Sequence, residues 1–585
     1  MAETKNKERS SMNIVGYSDR LSVSAGQSIR FMVSSESPTY CVELVRLRHT
    51  DENPQGPGFK YEVQQAPIDG EYPGRRQAIH TGSYAVVPHN PLLDCREGFT
   101  LQAWIYPTTP QKGVQGLITK FSTGDEAGYG LVIDEDGSLA LWLGAGDQLQ
   151  KVRTGVALQA ARWHFVSASY EPTTGVVCLH QRRQTNWPVD GAESIIREAV
   201  HPREPGANQD DLLMAARRNS STTGSPTTDH FNGKIDSPRI YGCALDPPDS
   251  ADTENAVAYW DFSLDIGSER VSDTQPHGLH GRTVNLPTRA VTGHNWRGDE
   301  ADFKVVSAQY GAIHFHDDDL EDAGWDLAFE WTVPDDYPSG FYAAHLETPE
   351  AEDYVPFIVA AAKARARIAF LAPTLTYQVY ANQRFIGRVR DYSTPQDEYM
   401  NEQNLLSCYD LHSDGSGVCY GSRLRPIINL RPRYRLPSRS LAAFYPRHLN
   451  ADLHLLHWLD TKGFDYDVIT DDELHRRGTE LLEPYQVLVT GTHPEYWTAQ
   501  MLDGLALYQA DGGRLVYLGG NGFYWITSFD PDRPHIVEVR RWRGTRAWEA
   551  APGECYHSTT GEMGGLWRYR NRAPQKMVGI GFTAM

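Results

Sequence analysis

Residues 99–107, Phe-Thr-Leu-Gln-Ala-Trp-Ile-Tyr-Pro, alternate with a period of two. Because successive side chains of a strand point to opposite faces, Leu101, Ala103 and Ile105 are expected on one face and Trp104 on the other. Similar short runs follow between turn residues at 116–120, 129–134, 139–143 and 163–170. Evenly spaced short strands of this kind predict a β-sandwich.

From about residue 85 to residue 262 these runs resemble a laminin-G or concanavalin-like jelly roll. The resemblance is carried by residues 101–105, 117–120, 162–166 and 231–241. In that fold, Trp104 and Trp163 are expected to fill the interior of the sandwich. No calcium-type Asp/Asn cluster stands at loop spacing, so the sequence favours a structural or assembly role over sugar binding. Fold alone does not assign function.

The flanking sequence divides into further units. A strand, turn and strand at residues 22–33 open the chain, and they are assigned with the sandwich to residues 1–300. Residues 301–362 are predicted to form a small immunoglobulin-like β-unit whose strands are 329–334 and 338–346.

Residues 363–585 change to an alternation of strands and helices. Compact apolar runs at 367–371, 466–470, 486–490 and 514–520 predict buried parallel strands. Between them lie helical patterns at 451–459, ended by Gly463, and at 498–510. This order predicts a doubly wound α/β domain, of the glutamine-amidotransferase type.

Composition excludes several classes of protein. The 585 residues include 55 Lys+Arg and 75 Asp+Glu, giving a formal charge of −20, which argues against binding to nucleic acid. No apolar run approaches the roughly 20 residues of a membrane span, and the first residues lack the apolar core of a signal peptide. A cytoplasmic protein is expected. The seven cysteines are never spaced as C-x-x-C, which favours reduced thiols and leaves metal binding to other residues.

The candidate chemistry lies where ligands bind in doubly wound sheets, beyond the carboxyl ends of the strands. Three polar and aromatic stretches follow predicted strands and should converge: 371–382, 490–497 and 519–525. They contain no cysteine nucleophile and no G-x-S-x-G elbow. No H-E-x-x-H helix is present, and His454 and His457, three residues apart, lack an obvious third metal ligand.

Four motifs together resemble the large subunit of N,N-dimethylformamidase, over essentially the whole chain. They are residues 377–382, 408–420, 491–497 and 519–525. The resemblance implies a mononuclear ferric iron held by two tyrosines and one glutamate, and hydrolysis of the amide to formate and dimethylamine. By motif, the ligands fall on Tyr380, Tyr420 and Glu495. Tyr409 and Tyr434 are alternatives for the second tyrosine.

The same resemblance assigns supporting roles. His493 would orient Glu495 or a water molecule, Asn521 would donate to the developing oxyanion, and Glu495 or another carboxylate would carry the proton to the leaving amine. Phe523, Tyr377 and Trp497 are expected to form a small dry pocket.

Ferric iron is a hard cation that suits phenolate and carboxylate donors. Its open coordination positions would polarise the amide carbonyl or activate water.

Partners and alternatives follow from the same reasoning. The resemblance implies a separate small subunit in an α2β2-type assembly. It also implies large subunits that continue well beyond residues 565–568, so this chain is expected to be shortened at its C-terminus. One alternative is a lectin-like binding or scaffold protein with a catalytically silent α/β domain. Another is a hydrolase with the same site acting on a different small amide.

Overall fold

The computed structural model describes residues 12–122, 126–146, 148–185, 193–219, 225–246, 255–384, 394–437, 444–544 and 547–582. Within these ranges the chain forms a large antiparallel sandwich, a smaller two-sheet β-unit and a parallel sheet flanked by helices. Small ribbons and 3-10 turns complete the structure.

Two large antiparallel sheets form the sandwich. The first has the order Leu149–Ala157, Ser138–Ala145, Ala127–Ile133, Gln115–Ser122, Leu212–Met214, Tyr84–Val87, Gly281–Val284, Arg270–Val271. The second has the order Glu193–Ala199, Val176–Arg183, His164–Glu171, Phe99–Pro107, Gly233–Tyr241, Ala312–Phe315, Thr288–Val291, with Ala258–Tyr259 beside Gly233–Tyr241.

The inner faces of the two sheets share one apolar core. Leu101, Ala103 and Ile105 lie in it at 1% exposure or less, as the alternation predicts. Trp104 was expected to fill the interior, and this is wrong: it lies on the outer face and stacks on His294 with ring centroids 4.5 Å apart. The alternation of side chains along the strand requires this placement, because Trp104 stands between the inward-facing Ala103 and Ile105.

The smaller β-unit also has two sheets around a common core. One contains Ser22–Ser24, Glu352–Ala360, Gly340–Glu347, Thr39–His49 and Lys60–Gln64, with Gly70–Pro73 beside Thr39–His49. The other contains Ile14–Ser18, Ser28–Ser35 and Leu327–Thr332. Its likeness to an immunoglobulin domain stays a prediction.

These pairings cross the predicted divisions of the chain. Residues 14–73 pair with strands between 327 and 360, and do not join the sandwich sheets to which 1–300 was assigned. Conversely, Ala312–Phe315 extends the sandwich, although it lies within 301–362. The sequence pattern gives each strand its buried face but not its partner, which explains the difference.

The parallel sheet has the order Tyr466–Thr470, Ile368–Ala372, Val487–Thr490, Arg514–Val516. The helices of the described chain are Thr374–Val379, Pro395–Glu402, Leu449–Lys462, Asp471–Arg477, Thr479–Leu482, Ala499–Ala510 and Gln575–Val578. None of them is long and apolar enough to cross a membrane.

Helices cover both faces of this sheet. Phe370 packs in one cluster with the helix Leu449–Lys462, and Leu371 packs in another with the helix Ala499–Ala510. Gly463 ends the first helix in the left-handed conformation, at φ +74°, as predicted. The second helix begins at Ala499, one residue after the predicted start, and the side chain of Thr498 caps it. Layers of this kind fit the predicted α/β arrangement, whereas the amidotransferase likeness stays a prediction.

The described residues also form four short ribbons and four 3-10 turns. The ribbons are Tyr420–Ser422 with Ile536–Glu538 and Ser528–Phe529, Tyr496–Trp497 with Trp525–Ile526, Leu436–Pro437 with Phe444–Tyr445, and Arg217–Arg218 with Thr227–Thr228. The 3-10 turns are Pro91–Asp94, Ser307–Gln309, Ile428–Leu430 and Trp567–Arg570.

Candidate active site

The site lies where the strand order of the parallel sheet reverses. In chain order the strands are arranged second, first, third, fourth, so the crevice opens between Ile368–Ala372 and Val487–Thr490. The helix Thr374–Val379 follows the first of these strands and leads into Tyr380. The turn after the second leads from Gly491 to Glu495.

Gly491 lets these two strand ends approach closely. A Cβ at this position would lie 2.6 Å from Cδ of Pro373, so a larger residue would push the segments apart. The hydroxyl of Thr376 accepts the backbone N–H of Glu495 at 3.2 Å and joins the same segments. The local backbone thus sets Tyr380 and Glu495 facing each other.

The carboxylate of Glu495 is the centre of the site and is 2% exposed. Tyr380 donates its hydroxyl to Oε2 at 2.7 Å, and Tyr409 donates to the same oxygen at 3.2 Å. The amide of Asn521 donates to Oε1 at 2.6 Å. His493 Nε2 lies 2.9 Å from Oδ1 of Asn521 and 3.3 Å from Oε2 of Glu495. Two phenols, an amide and an imidazole therefore contact one buried carboxylate.

Two arginines face the phenol rings. The guanidinium of Arg447 lies 4.2 Å from the ring centroid of Tyr380, and that of Arg541 lies 4.1 Å from the centroid of Tyr409. Arg541 also donates to the hydroxyl of Tyr496 at 2.9 Å, which in turn lies 2.5 Å from the hydroxyl of Tyr409. Fixed cations at this distance favour negative charge on the phenol oxygens.

Burial raises the pKa of Tyr380 and of Tyr409, and the charge of Glu495 raises both further. Without a cation both phenols thus keep their protons and donate to Glu495. Burial lowers the pKa of His448, so this imidazole is neutral. It lies 4.6 Å, centroid to centroid, from Tyr380, and its Nε2 is buried with no hydrogen-bond partner in the described chain.

The donor set fits a hard trivalent cation. Two phenol oxygens lie within 3.2 Å of one carboxylate oxygen, and all three are potential anionic oxygen donors. A trivalent ion between them would remove the burial cost of the phenolates by its opposite charge. Tyr380, Tyr409 and Glu495 are the residues that could hold it.

The structure brings together most, but not all, of the residues singled out in the sequence. Tyr380, Glu495, His493 and Asn521 meet as described above. Tyr420, assigned as the second tyrosine, lies apart from Glu495: its hydroxyl is 2.7 Å from Oγ of Ser558. Tyr420 begins the strand Tyr420–Ser422, and the pairing of this strand with Ile536–Glu538 keeps the Tyr420 side chain away from Glu495.

Tyr434 is also excluded from the site. Its hydroxyl donates to Asp397 at 3.0 Å. Of the three alternatives, Tyr409 is the one that contacts Glu495.

The aromatic residues expected to line a pocket have other roles. Trp497 and Phe523 stack on each other at 4.4 Å and are almost fully buried, and Trp497 donates to the carbonyl of Pro494. They support the segment that carries Glu495. Tyr377 donates its hydroxyl to Asp452.

The helical His454 and His457 pack around His49, with centroids 4.5 and 5.2 Å from it. This arrangement fits the packing role that their missing third ligand suggested.

Sequence reasoning missed four residues of the site: Tyr496, Arg447, His448 and Arg541. Tyr496 was within reach, because it follows Glu495 directly in a motif already singled out. Arg447 and His448 precede a predicted helix, and Arg541 follows a short strand; neither position carries a local pattern that points to a site.

Comparison with known proteins places this chain in a family. Residues 288–585 match the family described as N,N-dimethylformamidase beta subunit-like, C-terminal. The N,N-dimethylformamidase beta subunit of Paracoccus aminophilus is 39% identical over 615 aligned residues, which cover 98% of this chain and 80% of the relative. The beta subunit from an Alcaligenes species is 38% identical over 613 residues, with 98% and 79% covered.

The chain belongs to the N,N-dimethylformamidase beta-subunit family. This membership confirms the resemblance seen in the four sequence motifs.

Within this family member, residues 80–249 also match the concanavalin A-like lectin/glucanases superfamily, which confirms the predicted sandwich fold. Among solved structures, a putative carbohydrate binding protein from Bacteroides ovatus is 15% identical, with a TM-score of 0.26, covering 45% of this chain and 68% of that chain. A pentraxin from Limulus polyphemus is 9% identical, with a TM-score of 0.21, covering 35% and 77%.

Proposed function

We propose that this chain is the large subunit of an iron-dependent amidohydrolase that cleaves N,N-dimethylformamide, and related small formamides, to formate and dimethylamine. Two relatives at 38% and 39% identity carry the name N,N-dimethylformamidase beta subunit. The observation that carries the proposal is the convergence of two tyrosine hydroxyls on the buried Glu495 carboxylate, at the crevice of the parallel sheet.

Tyr380, Tyr409 and Glu495 would hold a mononuclear ferric ion. Such an ion supplies Lewis-acid chemistry, which polarises an amide carbonyl and makes water more acidic. The chain contributes the donor atoms, and Arg447 and Arg541 stabilise the phenolate charge that the ion requires.

Asn521 and His493 prepare this site for the reaction. One N–H of the Asn521 amide donates to Oε1 of Glu495 and fixes the carboxylate. The second N–H is available to a substrate oxygen. The Asn521 carbonyl faces Nε2 of His493 and holds the imidazole beside Glu495. Second-shell bonds of this kind commonly orient metal ligands.

Hydrolysis also requires proton transfer from water to the departing amine. The side chain of His493 is 16% exposed, whereas that of Glu495 is 3% exposed, so His493 lies nearer to solvent than the carboxylate. Nε2 of His493 faces two oxygen acceptors, Oδ1 of Asn521 and Oε2 of Glu495, so it carries the ring hydrogen. We therefore assign Nδ1, the other ring nitrogen, as the atom that takes the proton from water and returns it to the amine nitrogen.

The word beta in the relatives' names also leads us to propose assembly with a small subunit, in an α2β2-type complex. The test is therefore made on the co-expressed complex. We expect one iron per large subunit, a visible phenolate absorption band, and equal amounts of formate and dimethylamine from N,N-dimethylformamide.

Rates across formamide, N-methylformamide and N,N-dimethylacetamide would define the substrate class. A folded, colourless, iron-free complex that releases no formate would overturn the proposal. If it bound an oligosaccharide instead, the sandwich would be a lectin attached to a silent α/β domain.

A further inference from the structure

A second cluster of metal-ligand residues lies outside the proposed active site. His314 belongs to the sandwich strand Ala312–Phe315, and His316 follows that strand. Because the two residues are two apart, their side chains project from the same face. Their rings lie 4.1 Å apart, centroid to centroid, and the residues are 7% and 1% exposed.

Asp414 approaches these imidazoles from a different part of the chain. It stands in the tight turn 412–416, where the backbone N–H of Gly415 donates to the carbonyl of His412 at 2.9 Å. Its Oδ1 accepts from the N–H and the hydroxyl of Ser416. Its Oδ2 lies 3.1 Å from Nε2 of His314 and 4.0 Å from Nε2 of His316, and the side chain has no exposed surface.

We propose that His314 Nε2, His316 Nε2 and Asp414 Oδ2 bind a divalent transition metal of the zinc type, which ties the turn 412–416 to the sandwich. The three ligand atoms lie within 4.8 Å of one another. Two imidazoles and one carboxylate form a ligand set for zinc and related ions. Ser416 Oγ, 2.9 Å from His316 Nε2, marks a fourth position.

The surroundings of His316 support the assignment. Its other ring nitrogen, Nδ1, lies 3.0 Å from Oδ2 of Asp319. Metal-bound histidines usually make such a bond to a carboxylate, which orients the ring and directs its free nitrogen to the metal. Ser83 donates to the same Asp319 oxygen at 2.6 Å and fixes the carboxylate in turn.

Charge balance also favours a cation here. The carboxylates of Asp318, Asp319 and Asp414 have side-chain exposures of 7% or less. Within the described chain their ion pairs are with imidazoles alone, without a lysine or arginine. Buried carboxylates need compensating positive charge, and a divalent ion supplies it.

A competing set consists of His316, Asp319 and His412. His412 instead stacks flat on His316 at 3.8 Å and directs Nδ1 to Asp318 at 2.6 Å. Nε2 of His412 lies 3.7 Å from Oδ1 of Asp319, farther than the 3.1 Å between Nε2 of His314 and Oδ2 of Asp414. The set containing Asp414 is preferred because Oδ2 of Asp414 faces the imidazoles.

The site has a consequence for the proposed active site. Tyr409 lies five residues before Asp414 in the same loop. A metal at Asp414 would anchor that loop to the sandwich and hold Tyr409 in position against Glu495. The ion is thus assigned a positioning role.

The first experiment uses the wild-type complex, equilibrated with Zn²⁺ and dialysed. Elemental analysis should find one zinc per large subunit besides iron, and zinc-edge X-ray absorption should show nitrogen and oxygen neighbours without sulfur. Wild-type protein that retains no zinc after this treatment would overturn the proposal. Iron content and formate release are measured on the same sample, so the active-site proposal succeeds or fails separately.

Variants then identify the ligands. H314Q and D414N each remove a direct ligand and should bind zinc more than about 100-fold more weakly, beyond the effect of an outer-shell partner. H412Q and the exposed control H201Q should retain it. Loss of zinc from H412Q with retention in H314Q would contradict the ligand set. If D414N does not fold, the zinc-edge X-ray absorption spectrum of the wild-type complex still shows whether zinc occupies the site.

Discussion

The rings of Tyr409 and Tyr380 stack with their centroids 4.1 Å apart, tilted by 20°, and both hydroxyls donate to Oε2 of Glu495. Residues from three separate segments therefore place their oxygen atoms together in the folded chain. Contacts within the chain hold these oxygen atoms together, which reduces the cost of organising the site.

Replacing Tyr409 and Tyr420 in turn should show which of them is the second iron ligand. Y409F removes an oxygen that contacts Glu495 and leaves Tyr380 as the remaining phenolate donor. We therefore expect a weaker visible phenolate band and a fall in formate release of more than about 100-fold, beyond the usual effect of an outer-shell partner. Y420F is the matched control and should retain iron and activity. Iron content, absorption spectra and formate release are measured for both variants. Loss of iron and activity in Y420F, with both retained in Y409F, would show that Tyr420 is the ligand.

Iron affinity should increase with pH. The pKa values of Tyr380 and Tyr409 are raised by burial and by Glu495, so both phenols are protonated at neutral pH and must release a proton when a metal binds. Two protons per ion predict an affinity rise of about 100-fold per pH unit, and Y409F should reduce this to about tenfold.

Chelator competition between about pH 6 and 8 measures this slope, within a range where the protein phenols remain neutral without metal. An affinity independent of pH would show that the phenols do not ionise on binding.

Asn521 should act through Glu495 and His493. N521A removes the 2.6 Å bond to Glu495 and the acceptor of His493, so kcat should fall about 10- to 100-fold while most of the iron remains. N521D keeps the acceptor but places a second carboxylate beside Glu495. We expect it to be less active than the wild type and to show a shifted pH profile, whereas a purely structural role would leave that profile unchanged.

Arg541 should contribute strongly to stability. It is fully buried, donates to the carbonyl of Cys408 at 3.1 Å and to Tyr496 at 2.9 Å, and lies over the ring of Tyr409. R541M removes these hydrogen bonds from a charged donor and the contact with the Tyr409 ring, at a cost of about 3 kcal/mol in the free energy of unfolding. Urea denaturation measures the change, with the exposed Arg197, as R197M, for comparison. Equal stability of the two variants would contradict this role.

Local features of the fold could be predicted from the sequence. The helix Leu449–Lys462 ends at Gly463 because glycine adopts the left-handed conformation easily, and Tyr466–Thr470 is a strand with the predicted bounds. Tyr380, Glu495, His493 and Asn521 meet because the ends of neighbouring parallel strands share one edge of the sheet.

Long-range features could not be predicted in this way. Tyr409 and Tyr420 stand in the same motif, and only the pairing of Tyr420–Ser422 with Ile536–Glu538 separates them. Likewise, nothing local to Ile14–Ser18 or Ser28–Ser35 shows that they belong with Leu327–Thr332. His314 and Asp414 come together across 100 residues of chain.

The pairing of residues 14–73 with 327–360 gives the sandwich the topology of an inserted domain. The chain leaves the smaller β-unit, forms the sandwich and returns beside its point of departure: Gly82 donates to the carbonyl of Asp319 at 2.9 Å, and Ser83 to that of His316 at 2.8 Å. Adjacent entry and exit points are what domain insertion into an existing fold requires. The two chain positions that flank the sandwich are therefore close enough to be joined directly, without the sandwich between them.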